Sequence, residues 1–220
     1  DTLEKLGYDV DNKLKDIVKL DVYNFDNIDL KTSIGSYYDI AKDEYPLMPY
    51  NKKESIVKIS DYNKIAKLFG LKEYTLNDDE YFIVANYSEY VEFRNEGLKA
   101  DTILNINEKE LKPKYDSCVE GFIAMNSTYS NLGIFVVPDN AVNDSMKKYE
   151  YLTANYNVTD INEKNLSEKE LSEICKENSN NTVIDFDSKM TIKENSIGLG
   201  AMVTFIGLYL SLIHISEPTR

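Results

Sequence analysis

The chain has little of the chemistry that most enzyme active sites use. Its 220 residues include one histidine and two cysteines, and tryptophan is absent. The single histidine, His214, lies at the far end of an apolar run, so no Ser-His-Asp or Cys-His arrangement can be assembled. Two isolated cysteines and one histidine also give no zinc-binding spacing. We therefore predict that the protein is not an enzyme and holds no metal or cofactor.

Glycine-rich phosphate-binding motifs are missing as well. Neither G-x-x-x-x-G-K-S/T nor G-x-G-x-x-G occurs, so no nucleotide site is indicated. Residues 77–80, Asn-Asp-Asp-Glu, concentrate carboxylates without the spacing and glycine of an EF-hand loop. A solvated turn before a strand is the favoured interpretation of this segment, and a weak calcium site is the alternative.

Basic residues are outnumbered by acidic ones. The 25 Lys and Arg residues face 38 Asp and Glu residues, which gives a formal net charge of −13. Phosphate backbones require a basic face, so we predict that the protein does not bind nucleic acid. An acidic surface would attract a cationic partner such as a basic peptide. The simpler alternative is that the acidity keeps an exposed domain soluble.

The two cysteines, Cys118 and Cys175, are far apart in the sequence. Outside the cell they could form a disulfide that closes a long loop. Cys118 lies in a strand-like run and Cys175 on a predicted helix, each beside apolar neighbours. Two buried free thiols are therefore the favoured interpretation.

Residues 197–215 form an apolar run without a charged residue. About 18 such residues suffice for a membrane-spanning helix, whereas a buried helix of a soluble core is the alternative. Small residues four apart, such as Gly200 and Thr204, would let a second helix approach closely in lipid. We therefore predict that a polar, acidic domain precedes a membrane helix.

The first half of the domain divides into recognisable elements. Helical spacing over residues 3–18 predicts helix with a break at Gly7. Residues 20–25 predict a short strand, and the following tyrosine-rich segment predicts a loop up to Pro49. Residues 54–87 predict a strand, a helix capped by Ser60 or Asp61 and ended by Gly70, a polar turn and a second strand.

The second half predicts further short elements. Ser88 begins a helix that Gly97 ends, and a capping box of Ser167 with Glu170 begins another that reaches Lys176. A helix is expected from about Asp187 into the apolar run. Strands are predicted over residues 101–107, 117–125, 133–139, 149–158 and 182–186. The fold class is therefore α+β, with a mixed or mostly antiparallel sheet and short helices.

Four segments together resemble the FtsX-like permease subunits of bacterial ABC transporters. They read KISDYNKIAKLFG (residues 58–70), LNDDEYFIVANY (76–87), GIFVVPDNAV (133–142) and NSIGLGAMVTFIGLYL (195–210). The resemblance is to the bacitracin-export and cationic antimicrobial peptide resistance type. It implies an extracellular domain over residues 1–187 and a linker helix with the start of a transmembrane helix over residues 188–210. Residues 211–220, SLIHISEPTR, resemble translated adapter sequence and are expected to be a non-native tail.

The resemblance also implies a location and partners. The chain would belong to the bacterial cell membrane, with residues 1 to about 190 outside the cell. A separate ATPase subunit would hydrolyse ATP, and the domain would meet a cationic peptide antibiotic or its lipid-linked cell-wall precursor. A sensor histidine kinase is a further expected partner. Since the first residue already lies inside a structured pattern, we expect the chain to begin within a longer protein.

The alternative function is the extracellular sensor domain of a membrane signalling receptor, since the order of domain and helix is the same. The sequence does not identify ligand-binding residues. The surface residues selected as candidates are acidic and aromatic: Tyr37, Tyr38, Asp78 and Asp79.

Overall fold

The computed structural model describes residues 2–100, 102–124, 133–178 and 186–216. The chain forms two compact units. One unit is Asp9–Thr159, and the other combines Asp1–Tyr8 with Asp160–Arg220.

Eight helices and eight strands lie in the described residues. The helices are α1 (Thr2–Lys5), α2 (Val10–Lys13), α3 (Leu30–Ser33), α4 (Tyr38–Glu44), α5 (Ile59–Phe69), α6 (Ser88–Lys99), α7 (Ile161–Asn178) and α8 (Lys189–Ser216). The strands are β1 (Leu14–Tyr23), β2 (Ser55–Lys58), β3 (Glu80–Ala85), β4 (Leu104–Ile106), β5 (Lys109–Pro113), β6 (Val119–Glu120), β7 (Ile134–Val137) and β8 (Lys147–Tyr156). Short 3₁₀ turns occupy Gly35–Tyr37, Asp139–Ala141 and Asp144–Met146.

The strands of the larger unit form one mixed sheet in the order β4-β5-β3-β7-β2-β1-β8, with β6 paired to β3. The pairs β1–β2, β1–β8, β3–β7 and β4–β5 are antiparallel. The pairs β2–β7, β3–β5 and β3–β6 are parallel. The predicted α+β class with a mixed sheet and short helices is therefore confirmed.

The central strands β3 and β7 are apolar on both faces. Tyr81 and Ile83 belong to one buried cluster, while Phe82 and Val84 belong to another. Because side chains alternate along a strand, the two clusters lie on opposite faces of the sheet. Helix α5 contributes to the second cluster through its buried residue Ile65.

Residues 54–87 contain the predicted strand, helix, turn and strand. Gly70, with φ +67°, ends α5, and its N–H donates to the carbonyls of Ala66 and Lys67. The predicted N-cap at Ser60 or Asp61 is wrong, because α5 begins at Ile59 and its N-cap position is Lys58. The two strands are not neighbours, since β7 lies between β2 and β3.

Two predictions near the start of the chain are wrong. Residues 14–18 belong to strand β1, because pairing with the ten-residue strand β8 overrides their helical spacing. The predicted tyrosine-rich loop contains α3 and α4. Asp29 caps α3 by accepting the N–H of Thr32, whose hydroxyl in turn accepts the N–H of Asp29.

Three later boundaries also differ from the predictions. Helix α6 continues past Gly97 and ends at Lys99. A Cβ at Gly97 would lie 3.0 Å from Ile34, so this glycine permits close packing instead of ending the helix. Helix α7 begins six residues before Ser167, which is buried within it, so the predicted capping box is wrong. The strand predicted over residues 117–125 is two residues long, and β5 was not predicted.

The last predicted strand lies almost entirely outside the described residues. The helix expected from about Asp187 is present as α8, which begins at Lys189 after Ser188 accepts the N–H of Thr191 at 2.9 Å. Within the described parts of the chain, no helix combines the length and hydropathy needed to cross a membrane. The transmembrane helix stays a prediction.

Candidate functional site

An ion pair between Arg94 and Glu54 lies in the interior of the larger unit. Arg94 of α6 is 4% exposed, and Glu54, which precedes β2, is 5% exposed. The two guanidinium nitrogens Nη1 and Nη2 donate to Oε1 and Oε2 of Glu54 at 2.6 and 2.8 Å. Ser33 of α3 donates its hydroxyl to Oε1 at 2.5 Å. The pair therefore joins α3 and α6 to the start of β2.

The guanidinium of Arg94 is charged in this pair. Burial by itself would lower the pKa of Arg94, but the charge and hydrogen bonds of Glu54 outweigh burial and raise it. The bidentate geometry requires arginine, because lysine cannot donate two parallel hydrogen bonds to one carboxylate. The arrangement positions α3 and α6 against the start of β2.

A small pocket opens beside this ion pair, and we name it the Arg94 pocket. Its cavity is about 20 Å³, and its lining includes Leu30, Pro49, Lys52, Tyr90, Arg94 and Gly133. The third guanidinium donor, Arg94 Nε, is buried and has no hydrogen-bond acceptor among the described residues. The pocket therefore contains an unsatisfied donor.

Gly133 is placed against the same guanidinium. Its φ is +124°, and a Cβ at this position would lie 2.5 Å from Arg94 Nε. Any side chain here would collide with the guanidinium and reduce the pocket. The position thus requires glycine for its backbone angle and for space.

Tyr37 and Tyr38, two of the predicted surface residues, lie at the start of α4. They pack against a buried cluster that includes Ile34, Ala41 and Phe93. The Tyr37 hydroxyl donates to Glu44 at 2.8 Å. Burial, and next this hydrogen bond to Glu44, raise the pKa of Tyr37, so its hydroxyl remains a donor. Both tyrosines are half-buried, and their packing against this cluster stabilises α4.

The outer side of α4 and the turn after it expose acidic and apolar side chains together. We name Asp39, Ile40, Asp43, Glu44 and Leu47 the α4 surface. Its three carboxylates are exposed, Ile40 is 57% exposed, and Leu47 is 97% exposed. Ile40, Asp43 and Glu44 are three and four residues apart, so they share one helix face.

Asp78 and Asp79, the other two predicted surface residues, occupy the turn before β3. Asp79 pairs with Lys112 at 2.8 Å, and this lysine lowers the pKa of the Asp79 carboxyl. Glu80 accepts the backbone N–H of Asn77 at 3.0 Å and pairs with Lys114 at 3.1 Å. No group of residues suited to a metal ion occurs in the described ranges. The segment forms the predicted turn, at a different place from the tyrosines.

The two cysteines are free thiols. Cys118 is half-buried, and its N–H donates to the side chain of Asn95 at 2.7 Å; Cys175 is buried within α7. Burial raises the pKa of the Cys118 thiol to about 11, although the charge of Arg94 opposes this change. The favoured interpretation is two buried free thiols: both thiols are free, but only Cys175 is buried, and Cys118 is half-buried.

Apolar side chains of α8 are exposed in its described part. Ile197, Leu199, Met202, Val203, Phe205 and Ile206 are between 50% and 70% exposed. They occupy successive positions around the helix and not a single stripe. Over residues 197–206, the part of the apolar run whose burial is described, these side chains are therefore not packed in a protein interior.

Comparisons with protein-family models, with curated proteins and with solved structures find no match to this chain. The FtsX-like assignment consequently rests on the sequence resemblance. Sequence reasoning missed the Arg94–Glu54 pair, although one signal was present. The sequence contains only two arginines, Arg94 and Arg220, among many lysines. A single arginine in a lysine-rich domain is the residue type expected at a bidentate contact with a carboxylate.

Proposed function

We propose that the chain is part of the permease subunit of an FtsX-like ABC transporter for antimicrobial peptide resistance or sensing. In this proposal the acidic domain lies outside the cell and meets a cationic peptide or its lipid-linked target. The observation that supports it best is the exposed apolar surface of α8, which directly follows a polar and acidic domain.

The chemistry of α8 suits an apolar environment. Exposed aliphatic and aromatic side chains on several sides of a helix are unfavourable in water and favourable in lipid. Ser196 and Thr204 donate their hydroxyls to the carbonyls of Ile192 and Gly200, each at 2.9 Å. Such hydrogen bonds to the preceding turn satisfy hydroxyl groups where no water is present.

The charge of the domain suits a cationic ligand. A net charge of −13 increases the encounter rate with basic peptides, and this effect weakens with salt. The α4 surface offers carboxylates beside Ile40 and Leu47, and an antimicrobial peptide with basic and apolar residues is complementary to that combination. The proposal therefore assigns peptide contact to the α4 surface.

The remaining parts of the transport cycle belong to other chains in this proposal. ATP hydrolysis takes place in a separate ATPase subunit inside the cell, and membrane helices transmit the resulting movement. A sensor histidine kinase is a proposed further partner. The domain itself contributes recognition and no catalysis.

Vesicle flotation tests the membrane part of the proposal. The full chain should float with lipid vesicles, and a variant with Leu199, Val203 and Ile206 replaced by Asn should remain in the dense fraction. The matched control is Ile40→Asn with Leu47→Asn, which removes exposed apolar side chains elsewhere and should still float. Equal flotation of the Asn-substituted α8 variant and the parent would contradict the proposal.

Calorimetry with the full chain in lipid nanodiscs tests the ligand. Cationic cell-wall-active peptides, alone and with lipid-linked precursor, should bind with an affinity that falls as salt increases. The variant Asp39→Asn, Asp43→Asn, Glu44→Gln should bind more weakly. The control Glu110→Gln, Asp116→Asn, Glu120→Gln removes the same charge from other exposed positions. No heat with any peptide or precursor would refute the ligand class, and equal weakening by both variants would refute the α4 surface.

A further inference from the structure

The two ends of the sheet differ in length and protection. At one end, β4 is three residues long, and the side-chain amide of Asn27 donates to the carbonyl of its middle residue, Asn105, at 2.9 Å. At the other end, β8 is ten residues long and pairs with β1 alone among the described strands. Natural sheets usually shorten, charge or cover an edge strand, because its outward N–H and C=O groups can pair with another chain. The outer side of β8 is therefore a candidate site for a further strand.

The start of β8 is protected against such pairing, but the rest is not. The register shift between Val22 and Tyr23 leaves Lys148 without an opposite residue in β1, and a bulge with an exposed lysine discourages strand addition. Residues 149–156 read YEYLTANY, with Glu150 as the one charged residue and no proline or glycine. Aromatic and β-branched residues of this kind favour a strand. We name residues 149–156 the β8 edge.

The β8 edge can be reached from solvent. Tyr149, Glu150 and Asn155 are exposed, and residues 151–154 are half-buried. Residues 149–153 pair without interruption with β1, so every second residue of this stretch directs its N–H and C=O away from β1. A strand laid along this side would therefore meet a regular row of backbone donors and acceptors.

The sequence of the β8 edge is complementary to itself. When two copies pair antiparallel about a twofold axis perpendicular to the sheet, the same faces lie on the same side, so residues whose numbers differ by an even number stand opposite each other. Centring on Leu152 sets it against its own copy and Tyr151 against Thr153, an aromatic and β-branched pair that stabilises neighbouring strands. Glu150 then meets Ala154, whereas centring on Glu150 would set two carboxylates opposite each other. The β8 edge therefore matches a second copy of itself without opposing like charges.

We propose that two copies of this chain associate through antiparallel pairing of their β8 edges, with Leu152 on the twofold axis. Residues 149–155 of each copy take part, and the two sheets continue as one across the interface. This interface shares no residue with the α4 surface, so it does not depend on the proposed peptide contact. Each copy carries a net charge of −13, and salt screens the resulting repulsion, so the dimer should tighten as salt increases. Binding of a cationic peptide has the opposite salt dependence.

A charge exchange at Leu152 tests the dimer, with mass measured by light scattering on the full chain in detergent micelles. Leu152→Lys and Leu152→Glu each set like charges opposite each other and should weaken the dimer about five- to thirtyfold. An equal mixture of the two variants should associate nearly as tightly as the parent, because lysine then faces glutamate. Ile103→Lys and Ile103→Glu are the controls, at a position that is 53% exposed and outside the β8 edge, and should dimerise as the parent does. Association through the apolar residues of α8 would not respond to the charge at residue 152.

Oxidation of a cysteine variant tests the register. In a Cys118→Ser/Cys175→Ser background, Leu152→Cys should form an intermolecular disulfide, since opposite residues of antiparallel strands have Cα atoms within disulfide range. Ile103→Cys in the same background is the control and should stay reduced. The proposal is overturned if the parent is a monomer at every salt concentration, if mixing Leu152→Lys with Leu152→Glu does not restore association, or if Leu152→Cys cross-links no faster than Ile103→Cys.

A competing peptide separates a second copy from a foreign strand as the occupant. A synthetic peptide with the sequence of residues 149–156 should dissociate the dimer, and a scrambled peptide of the same composition should do so less effectively. Equal competition by the two peptides would identify the β8 edge as a site for foreign strands and would overturn the proposal.

Discussion

Removing one partner of the Arg94–Glu54 pair should strongly destabilise the larger unit. In Glu54→Leu, the guanidinium loses two charge-assisted hydrogen bonds, at 2.6 and 2.8 Å, while remaining in an environment where it is 4% exposed. An uncompensated buried charge of this kind costs about 3–5 kcal/mol of unfolding free energy. Arg94→Met should cost a similar amount because it leaves the Glu54 carboxylate buried and unpaired.

The double variant Glu54→Leu/Arg94→Met should be much less destabilised than the sum of the two single variants. It leaves no buried charge, and replacing a whole buried pair by apolar residues is often close to neutral. Ser33→Ala removes one hydrogen bond to the carboxylate, at 2.5 Å, and should cost about 1.5–3 kcal/mol. The pattern of large single effects and a small double effect distinguishes charge burial from lost packing.

Urea unfolding of the full chain, followed by circular dichroism, measures these differences from midpoint and slope. Lys99→Gln is the control, because it breaks an exposed pair with Glu96 on the same helix α6 and should leave the midpoint unchanged. If Glu54→Leu costs less than about 1 kcal/mol, the pair is not the buried ionic contact described here. Strictly additive single variants would also refute the reasoning.

Two further predictions concern the surroundings of Arg94. Gly133→Ala should lower stability by about 1–3 kcal/mol through backbone strain, and by a further amount because its Cβ would lie 2.5 Å from Arg94 Nε. The control is Gly70→Ala, which has φ +67° and open space and should show the backbone strain alone. Equal losses of stability in urea unfolding would contradict the contact with Nε. The thiol of Cys118 should titrate near pH 11 in the folded chain, so its alkylation in a Cys175→Ser background should remain slow until that pH. Since the folded pKa lies above the ordinary value of 9.0, the stability supplied by the buried neutral thiol is complete below pH 9 and lost as pH rises through 11. If the stability difference between the parent and Cys118→Ala does not change between pH 9 and 11, the raised pKa of Cys118 is contradicted.

Local signals predicted the fold where one residue decides the conformation. Gly70 ended α5 because the left-handed angle there suits glycine, and runs of β-branched and aromatic residues marked β3 and β7. The same kind of reasoning failed at Gly97, since a glycine can end a helix or permit close packing, and the sequence does not distinguish the two. Ile34, the residue that Gly97 contacts, is 63 positions earlier in the chain.

Long-range pairing accounts for the other failures. Residues 14–18 have helical spacing, yet they form β1 because β8, more than 120 residues later, pairs with this segment on both sides of an irregularity between Lys15 and Val18. The site was likewise hidden from sequence reasoning. Glu54 and Arg94 are 40 residues apart, and neither belongs to a recognisable motif.

The sequence by itself determined the acidic charge, the absence of a catalytic histidine arrangement, the α+β class and the apolar character of residues 197–215, because composition and short-range periodicity are properties of the chain alone. Only the tertiary structure decided that Arg94 meets Glu54 in the interior, that Gly133 leaves Nε open, and that acidic and apolar side chains share the α4 surface. The physical reason is that ion pairing and burial depend on which distant segments the sheet brings together. That order of strands follows from the packing of the whole domain.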